Sequence, residues 1–318
     1  MKITVIGPGR WGSLITWYLD KKHHEVTLYG QKGTRDIEGF LKDRKNSLLT
    51  LPKTIKITTD LSYVNSADVI VISIPSQALQ GLFDELKAYN IKNKIFVLCM
   101  KGIEISTGRR LSQIASDNID KSNKVAVWIG PGHVQEFYHG TPNCMVIDSN
   151  DEETKKLLVD EFSSNLIRFY YGNDLIGNEI GAAAKNVIGI AAGILDGIGL
   201  SSLKGALMAR GTREIARLIA SEGGNELSAY GLCHLGDYEA TVFSKYSHNR
   251  QFGESFVKKE SFDSLAEGYY TVQALIKIGE KNNVELPICR AIYDILFNGK
   301  DPVSVLDELF GRKLTNEF

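Results

Sequence analysis

The chain has 318 residues, of which 43% are hydrophobic and 24% charged, a composition typical of globular proteins. Its formal net charge is −1 at pH 7, which argues against nucleic acid or an anionic membrane surface as a partner. The four cysteines stand far apart without a C-x-x-C pair, so we expect neither a metal site nor a redox centre. Free thiols and the lack of a signal peptide predict a cytoplasmic protein, and the length predicts two domains.

A glycine-rich turn between a strand and a helix opens the chain. Lys2–Ile6 is an apolar, β-branched run typical of a buried strand, and helical spacing follows over Ser13–Lys22. The turn between them has the pattern G-x-G-x-x-G and comprises Gly7, Pro8, Gly9, Arg10, Trp11 and Gly12. In dinucleotide-binding proteins, such glycines permit the tight turn, the approach of a pyrophosphate and helix–strand packing. We expect a dinucleotide here, with packing alone as the alternative.

The next predicted strand, Glu25–Tyr29, should end near the adenosine ribose. NAD-preferring sites usually carry an acid there for the 2′-hydroxyl, but this chain continues with Gly30-Gln31-Lys32-Gly33-Thr34-Arg35. Because Lys32 and Arg35 could accept a 2′-phosphate, we expect NADP(H) to be slightly preferred over NAD(H). The alternative is that both cations are merely solvated.

Apolar runs at Asp68–Ile74, Lys94–Met100 and Lys124–Ile129 are typical of parallel strands covered on both faces. Further strands near Cys144–Asp148 and Leu166–Tyr171 complete an α/β domain over residues 1–173, with a Rossmann-type, doubly wound, mostly parallel sheet. Ligands of such sheets bind outside the carboxyl ends of the strands. We therefore expect Lys101 and the turn Gly130-Pro131-Gly132 at the same edge as the glycine loop.

Helical periodicity replaces the strand pattern from residue 174 onward and predicts an all-helical C-terminal domain over 174–318. In its first helix, Glu179–Gly199, almost every residue is small or aliphatic except Lys185. The face of Lys185 carries mainly glycine and alanine, so a backbone or a ligand could approach the lysine. The alternatives are a packing helix whose lysine reaches the surface and, less favoured, a membrane span. A polar loop is predicted over Leu235–Gly253.

With these motifs in place, the chain resembles the soluble bacterial NAD(P)-dependent glycerol-3-phosphate dehydrogenases essentially from end to end. The matching segments are Gly7–Gly12 with Trp11, Lys101-Gly102-Ile103-Glu104, Gly130-Pro131, Lys185-Asn186-Val187, Arg210-Gly211, Leu235-Gly236-Asp237, Asn249 and Glu267-Gly268. The resemblance implies reversible hydride transfer between NAD(P)H and dihydroxyacetone phosphate. The product, sn-glycerol 3-phosphate, would serve phospholipid synthesis, and the family favours a homodimer.

The resemblance also implies roles for individual residues. Lys185 matches the general acid–base, Lys101 a residue beside substrate and cofactor, and Asp237 a residue that orients the lysine and the substrate. The implied substrate contacts are Lys101, Gly130, Gly132, Asp237, Ser247, His248, Asn249 and Arg250. The implied cofactor contacts are Gly7, Gly9, Arg10, Trp11, Gly12, Gln31, Lys32, Ser76, Lys101, Val134 and Glu267.

The sequence departs from the family around the substrate. The family's Ser-Arg-Asn is Ser247-His248-Asn249 here, and a neutral histidine is a poorer anion partner than a guanidinium. Arg250 is a candidate to replace that arginine. The family's Gly-Pro-Ser or Gly-Pro-Thr ends in Gly132, and its Gly-Leu-Gly-Asp-Leu is His234-Leu235-Gly236-Asp237-Tyr238. Two alternatives therefore stay open: a reductase of another small hydroxyketone or its phosphate, and a cofactor-binding regulator without turnover.

Overall fold

The computed structural model describes residues 1–314, 316 and 317. The chain forms two compact units. The first comprises Met1–Lys101 and Arg109–Glu179, and the second comprises Gly102–Gly108 and Ile180–Phe318.

An eight-stranded sheet forms the centre of the first unit, with the spatial order β3-β2-β1-β4-β5-β6-β7-β8. The strands are β1 Lys2–Ile6, β2 Glu25–Tyr29, β3 Lys56–Thr58, β4 Val69–Ile72, β5 Ile95–Leu98, β6 Lys124–Ile129, β7 Asn143–Asp148 and β8 Ile167–Tyr171. Neighbouring strands pair in parallel, except that β6 and β7 are antiparallel. The predicted doubly wound, mostly parallel sheet is confirmed. The strand order reverses between β1 and β4, where ligands of such sheets bind.

Helices cover this sheet and bury its apolar strands. They are α1 Arg10–Lys21, α2 Arg35–Asp43, α3 Leu79–Leu86, α4 Leu111–Asn118, α5 Val134–Tyr138 and α6 Glu152–Phe162. Val5, Val71 and Val97 are completely buried in the core between sheet and helices. Helix α1 begins at Arg10 rather than at the predicted Ser13, because Gly9 is already the extended residue that precedes the first turn. The first turn of α1 therefore lies inside the glycine motif.

The second unit is built from helices, as predicted. Helix α7 spans Leu175–Gly197 and is followed by α8 Lys204–Ser221, α9 His248–Lys258, α10 Glu267–Lys281, α11 Pro287–Phe297 and α12 Pro302–Phe310. Among the described residues, α7 alone is long and apolar enough to cross a membrane, but 89% of its most apolar window is buried inside the protein. Burial in a protein core explains the all-round apolar character of this helix.

The predicted polar loop Leu235–Gly253 is wrong over most of its length. A 3₁₀ turn covers Leu235–Asp237, a π-helical turn covers Glu239–Phe243, and α9 starts at His248. The Ser247 side chain accepts a hydrogen bond from the Arg250 N–H and so caps α9. The predicted substrate contacts His248, Asn249 and Arg250 therefore lie in the first turn of a helix. The helical backbone fixes the direction in which each of these side chains leaves the main chain.

Helices α7 and α9 approach each other so closely that their backbones touch at glycines. A Cβ atom on Gly193 would lie 1.9 Å from the Arg250 carbonyl oxygen, and one on Gly253 would lie 2.1 Å from the Ile190 carbonyl oxygen. Neither position can hold a side chain without moving the backbone of the other helix. The sequence predicted that either a backbone or a ligand would approach the glycine- and alanine-rich face of α7. Around Gly193, it is the backbone of α9 that does so.

Candidate active site

The glycine loop at the start of the first unit combines packing with open space. Gly7 has φ +110°, and a Cβ atom there would lie 2.1 Å from the Ser73 carbonyl oxygen. A Cβ atom on Gly12 would lie 1.8 Å from the Gly7 carbonyl oxygen. At Gly9, by contrast, the nearest atom to a Cβ would be Asp36 Oδ2, at 4.0 Å. The first and third glycines thus serve packing, while the second leaves room for a ligand at the N-terminus of α1, as a dinucleotide pyrophosphate requires.

Other predicted cofactor residues lie in the first unit. The Trp11 ring packs against Phe137 with 5.9 Å between ring centroids. Burial lowers the pKa of Arg10. Ser76 and Val134 are buried where the chain leaves β4 and β6, whereas Lys32 is exposed.

The segment after β2 contains acids that the sequence prediction did not weigh. Helix α2 starts at Arg35, and both Asp36 and Glu38 lie in its first turn. Glu38 Oε1 accepts a hydrogen bond from the Gly33 N–H at 3.0 Å, and Asp36 is the side chain that faces Gly9. The expectation of a purely basic ribose segment is therefore incomplete. Acidic residues are typical of a first helical turn, and that signal was present in the sequence.

Lys101 and Gly130, which were predicted at the same sheet edge, are in contact. Lys101 Nζ donates a hydrogen bond to the Gly130 carbonyl oxygen at 2.6 Å. Gly130 has φ +143°, a conformation that favours glycine, and a Cβ atom there would lie 2.9 Å from Met145 Cα. The turn after β6 therefore holds the ammonium of Lys101 beside the carboxyl end of the sheet.

Lys185 lies buried in α7, in the second unit, beside a carboxylate and a hydroxyl. Its Nζ is 3.0 Å from Asp237 Oδ2 and donates a hydrogen bond to Thr241 Oγ1 at 2.8 Å. Only 11% of the Lys185 side chain and 1% of the Asp237 side chain are exposed, so the lysine does not reach into solvent as one alternative required. The carboxylate and the hydroxyl fix the position of the ammonium, which suits a group that donates a proton in one direction.

Thr241 is a site residue that sequence reasoning missed. It lies four residues after Asp237, on the π-helical turn, and is 1% exposed. Residues four apart share a helical face, so the spacing was a usable signal once a helical turn was expected there. The polar composition of the segment concealed that turn.

Asn249 and Asn186, both in matching segments, are hydrogen-bonded to each other. Asn249 Nδ2 donates to Asn186 Oδ1 at 3.1 Å, and Asn249 Oδ1 accepts from the Gly268 N–H at 2.9 Å. A Cβ atom on Gly268 would lie 2.6 Å from the Asn186 carbonyl oxygen. Asn249 therefore joins α7, α9 and the start of α10, where Glu267 is the first residue.

Arg250 is bound within the second unit by carboxylates. Its Nε lies 2.7 Å from Asp196 Oδ2, which also binds Lys204 Nζ at 2.6 Å, and its second terminal nitrogen lies 3.3 Å from Glu254. His248 packs its ring 6.3 Å from that of Phe262. The replacement of the family's arginine by Arg250 stays a prediction, and these ion pairs compete with it.

Comparisons with known proteins find matches along essentially the whole chain. The family model described as NAD-dependent glycerol-3-phosphate dehydrogenase N-terminus matches residues 2–155, and the C-terminus model matches residues 174–307. A glycerol-3-phosphate dehydrogenase [NAD(P)+] of Thermoanaerobacter sp. (strain X514) is 34% identical, over 100% of this chain and 99% of its own. One of Prosthecochloris aestuarii is also 34% identical, over 98% of both chains. The chain belongs to the NAD(P)-dependent glycerol-3-phosphate dehydrogenase family.

A solved structure of this family agrees with the fold. The glycerol-3-phosphate dehydrogenase of Coxiella burnetii superposes with a TM-score of 0.91 at 26% identity, covering 98% of this chain and 99% of that one. The resemblance inferred from the sequence motifs is thereby confirmed.

The departure from the glycerol-3-phosphate dehydrogenase pattern at Gly132 has a structural counterpart in Phe137. Gly132 has φ +131°, and a Cβ atom there would lie 2.3 Å from the Phe137 ring. A serine or threonine at this position would strain the backbone and displace that ring. Glycine at position 132 and the packing of Phe137 are therefore linked.

A second departure, at His234, places a buried histidine next to the lysine helix. Its Nδ1 lies 2.8 Å from the Gly181 carbonyl oxygen, and its Nε2 lies 2.7 Å from the Tyr238 hydroxyl. Burial lowers the pKa of His234 to about 4, so the ring is neutral at physiological pH.

Burial of neutral His234 should make the protein less stable in mild acid. Because the pKa of His234 is about 4 when folded and 6.5 as a free side chain, the unfolded state binds more protons between these values. The free energy of unfolding should thus fall by roughly 2 kcal/mol more between pH 7 and pH 5 than in H234Q, which cannot titrate. Urea unfolding of both proteins at each pH measures this difference. Equal losses in the two proteins would mean that His234 is not buried in its neutral form.

Proposed function

We propose that the protein catalyses reversible hydride transfer between NAD(P)H and dihydroxyacetone phosphate, with sn-glycerol 3-phosphate as the product. The observation that carries this proposal is the buried ammonium of Lys185, held by Asp237 and Thr241 in a chain that matches the family from end to end. A protein that only binds a cofactor has little need for such a group, which argues against a non-catalytic regulator.

Lys185 supplies the proton in this reaction. When bound, NAD(P)H supplies the hydride to C2 of the ketone. The carbonyl oxygen then gains negative charge, and Lys185 Nζ gives it a proton, so that an alcohol forms and the lysine becomes a neutral amine. In the reverse direction the amine accepts the hydroxyl proton. Asp237 and Thr241 hold Nζ in one position, so the lysine does not have to reorient before the proton is transferred.

Most of the cofactor contacts belong to residues 1–173 in this proposal. The loop around Gly9 receives the pyrophosphate at the N-terminus of α1, and Lys101 stabilises negative charge at the carboxyl edge of the sheet. The other proposed cofactor contacts are Gly7, Arg10, Trp11, Gly12, Gln31, Lys32, Ser76, Val134 and Glu267, the last of which lies in the helical part of the chain.

The charges around α2 should set the preference between the two cofactors. Replacing both Lys32 and Arg35 by alanine removes the cations that attract a 2′-phosphate, so we expect the KM for NADPH to rise about tenfold while that for NADH stays within about twofold. Removing the opposing carboxylate with D36N should lower the KM for NADPH. Steady-state oxidation of both cofactors measures these changes. If the ratio of the KM for NADPH to the KM for NADH were unchanged in the double variant, Lys32 and Arg35 would interact with solvent and not with the cofactor.

Residues 174–318 hold the substrate in this proposal. The proposed contacts are Asp237, Ser247, His248, Asn249 and Arg250, together with Lys101, Gly130 and Gly132 from the first part of the chain. The loss of a hydroxyl at Gly132 specifically favours a second candidate function, a reductase of a related small hydroxyketone or its phosphate.

We further propose a cytoplasmic homodimer that supplies glycerol 3-phosphate for phospholipid synthesis. All four cysteines are free thiols, which suits a reducing compartment. Several large apolar side chains of the helical unit are exposed, among them Phe243 at 52% and Leu265 at 45%, and they are candidates for a subunit interface.

The proposed function is tested by following NADPH and NADH oxidation with dihydroxyacetone phosphate and with unphosphorylated dihydroxyacetone. We expect rapid turnover with the phosphate alone. Turnover of another ketone, but not of dihydroxyacetone phosphate, would favour the second candidate function. Cofactor binding without turnover of any ketone would point to the regulator.

A further inference from the structure

His234 forms a buried bridge between helix α7 and the side chain of Tyr238. The Gly181 carbonyl of α7 can only accept a hydrogen bond, so His234 Nδ1 carries the proton and donates it over 2.8 Å. Nε2 then has a free lone pair and accepts a hydrogen bond from the Tyr238 hydroxyl at 2.7 Å. His234 and Tyr238 are each 0% exposed, and no solvent is needed to satisfy the ring.

Tyr238 extends this bridge to helix α8. Its hydroxyl oxygen accepts a hydrogen bond from Thr212 Oγ1 at 3.4 Å, and Thr212 shares the same proton with the Met208 carbonyl oxygen at 2.8 Å. The tyrosine proton is therefore available for His234. The two rings pack edge to face with 4.9 Å between centroids. The hydrogen bonds thus define one orientation for both rings.

The bridge lies close to both Lys185, the proposed proton donor, and Asp237, the carboxylate paired with it. Gly181 lies one helical turn before Lys185 on α7, and Asp237 stands between His234 and Tyr238 in the chain. A Cβ atom on Gly181 would lie 3.0 Å from His234 Cβ, so glycine allows the segment to approach the helix. The contacts on either side of Asp237 therefore hold its carboxylate against the same stretch of helix that carries the lysine.

We infer that His234 and Tyr238 are positioning residues that fix Asp237 against Lys185 through the hydrogen bonds to Gly181 and Thr212. This inference rests on the proposed role of Lys185 as proton donor. Neither residue touches the reacting atoms. Their effect is on the geometry of the 3.0 Å contact between Lys185 Nζ and Asp237 Oδ2. The simpler alternative is that the two rings only fill space in the core.

The test compares three variants of the bridge. H234L removes both hydrogen bonds of the ring, and Y238F removes a single hydroxyl. H234Q keeps a donor for Gly181 and an acceptor for Tyr238. We expect kcat to fall roughly tenfold to a hundredfold in H234L and Y238F, with the KM for substrate and cofactor within about twofold of wild type. H234Q should retain kcat to within about threefold, since it restores the bridge.

The control is Y18F, in the first unit. Tyr18 is also a buried tyrosine, and its hydroxyl bonds to the Phe162 carbonyl and to Ser164. Y18F should lose stability as Y238F does but keep its kcat. If Tyr238 only fills space in the core, both Y238F and Y18F should be less stable than wild type, and kcat should be unchanged in both.

A second readout does not depend on turnover. The cofactor-free protein is treated with an amine-reactive acylating reagent, and peptide mass spectrometry measures the rate at which Lys185 is labelled. This rate reports how firmly the ammonium is held. We expect faster labelling in H234L and Y238F than in wild type, H234Q or Y18F. If wild type does not turn over dihydroxyacetone phosphate, the proposed function fails and the labelling rates alone decide the inference.

Unchanged kcat and unchanged labelling in folded Y238F would overturn the inference, as would an H234Q variant as impaired as H234L. Should H234L fail to fold, Y238F decides, because it removes one buried oxygen and leaves the ring in place.

Discussion

Replacing Lys185 by methionine should lower the rate of ketone reduction by about 10²–10⁴-fold while leaving cofactor affinity unchanged. Methionine has a similar length and fits an apolar helix, but it carries no proton to transfer. The proposed cofactor loop around Gly9 precedes α1 in the first unit and is not altered by the substitution. Single-turnover oxidation of NADPH measures the chemical step, and titration of intrinsic fluorescence measures the affinity.

The matched control is K204M. Lys204 is also a buried lysine of the second unit, and it is paired with Asp196, which keeps Arg250 as a partner after the substitution. K204M should react within a few-fold of wild type. If K185M, shown to be folded by its circular dichroism, were also only a few-fold slower, Lys185 could not be the proton donor.

Replacing Gly193 by alanine should destabilise the protein by about 3 kcal/mol or more. The added methyl group would lie 1.9 Å from the Arg250 carbonyl oxygen and 2.8 Å from the Glu254 nitrogen, both of which are backbone atoms of α9. Backbone atoms cannot rotate away as a flexible side chain can, so the two helices must separate. Urea unfolding measures the change in the free energy of unfolding.

G205A is the control for this substitution. Gly205 lies in helix α8 with nothing within 4 Å of a Cβ atom. Alanine there should stabilise the protein by about 0.5–1 kcal/mol, because it reduces the freedom of the unfolded chain. The contact between α7 and α9 would be refuted if G193A were as stable as G205A.

The parallel sheet could be predicted because its strands are covered on both faces. Each strand is then a continuous apolar run, as in Val69–Ile72, and the pattern needs no knowledge of the partner strand. The glycine motif was informative for the same local reason, since its strand, turn and helix follow one another directly. The short edge strand β3 offered no such run, because only Lys56–Thr58 takes part.

The candidate site was harder to predict because it depends on contacts between distant segments. Lys185 was recognisable as the exception in an apolar helix, but Thr241 bonds to it from 56 residues away. Asn249 was assigned to the substrate, yet its side chain joins Asn186 to Gly268. The His234–Tyr238 pair stood out only as two departures from the family, and its hydrogen bonds became apparent once both rings were placed.

The most direct test of the proposed reaction is the fate of the hydride. NADPH or NADH deuterated at the transferred position of C4 is incubated with the protein and dihydroxyacetone phosphate, and the product is examined by mass spectrometry. Hydride transfer predicts sn-glycerol 3-phosphate that carries one deuterium at C2, formed at the rate of cofactor oxidation. Cofactor oxidation without deuterium in this product, or no oxidation at all, would contradict the proposed function.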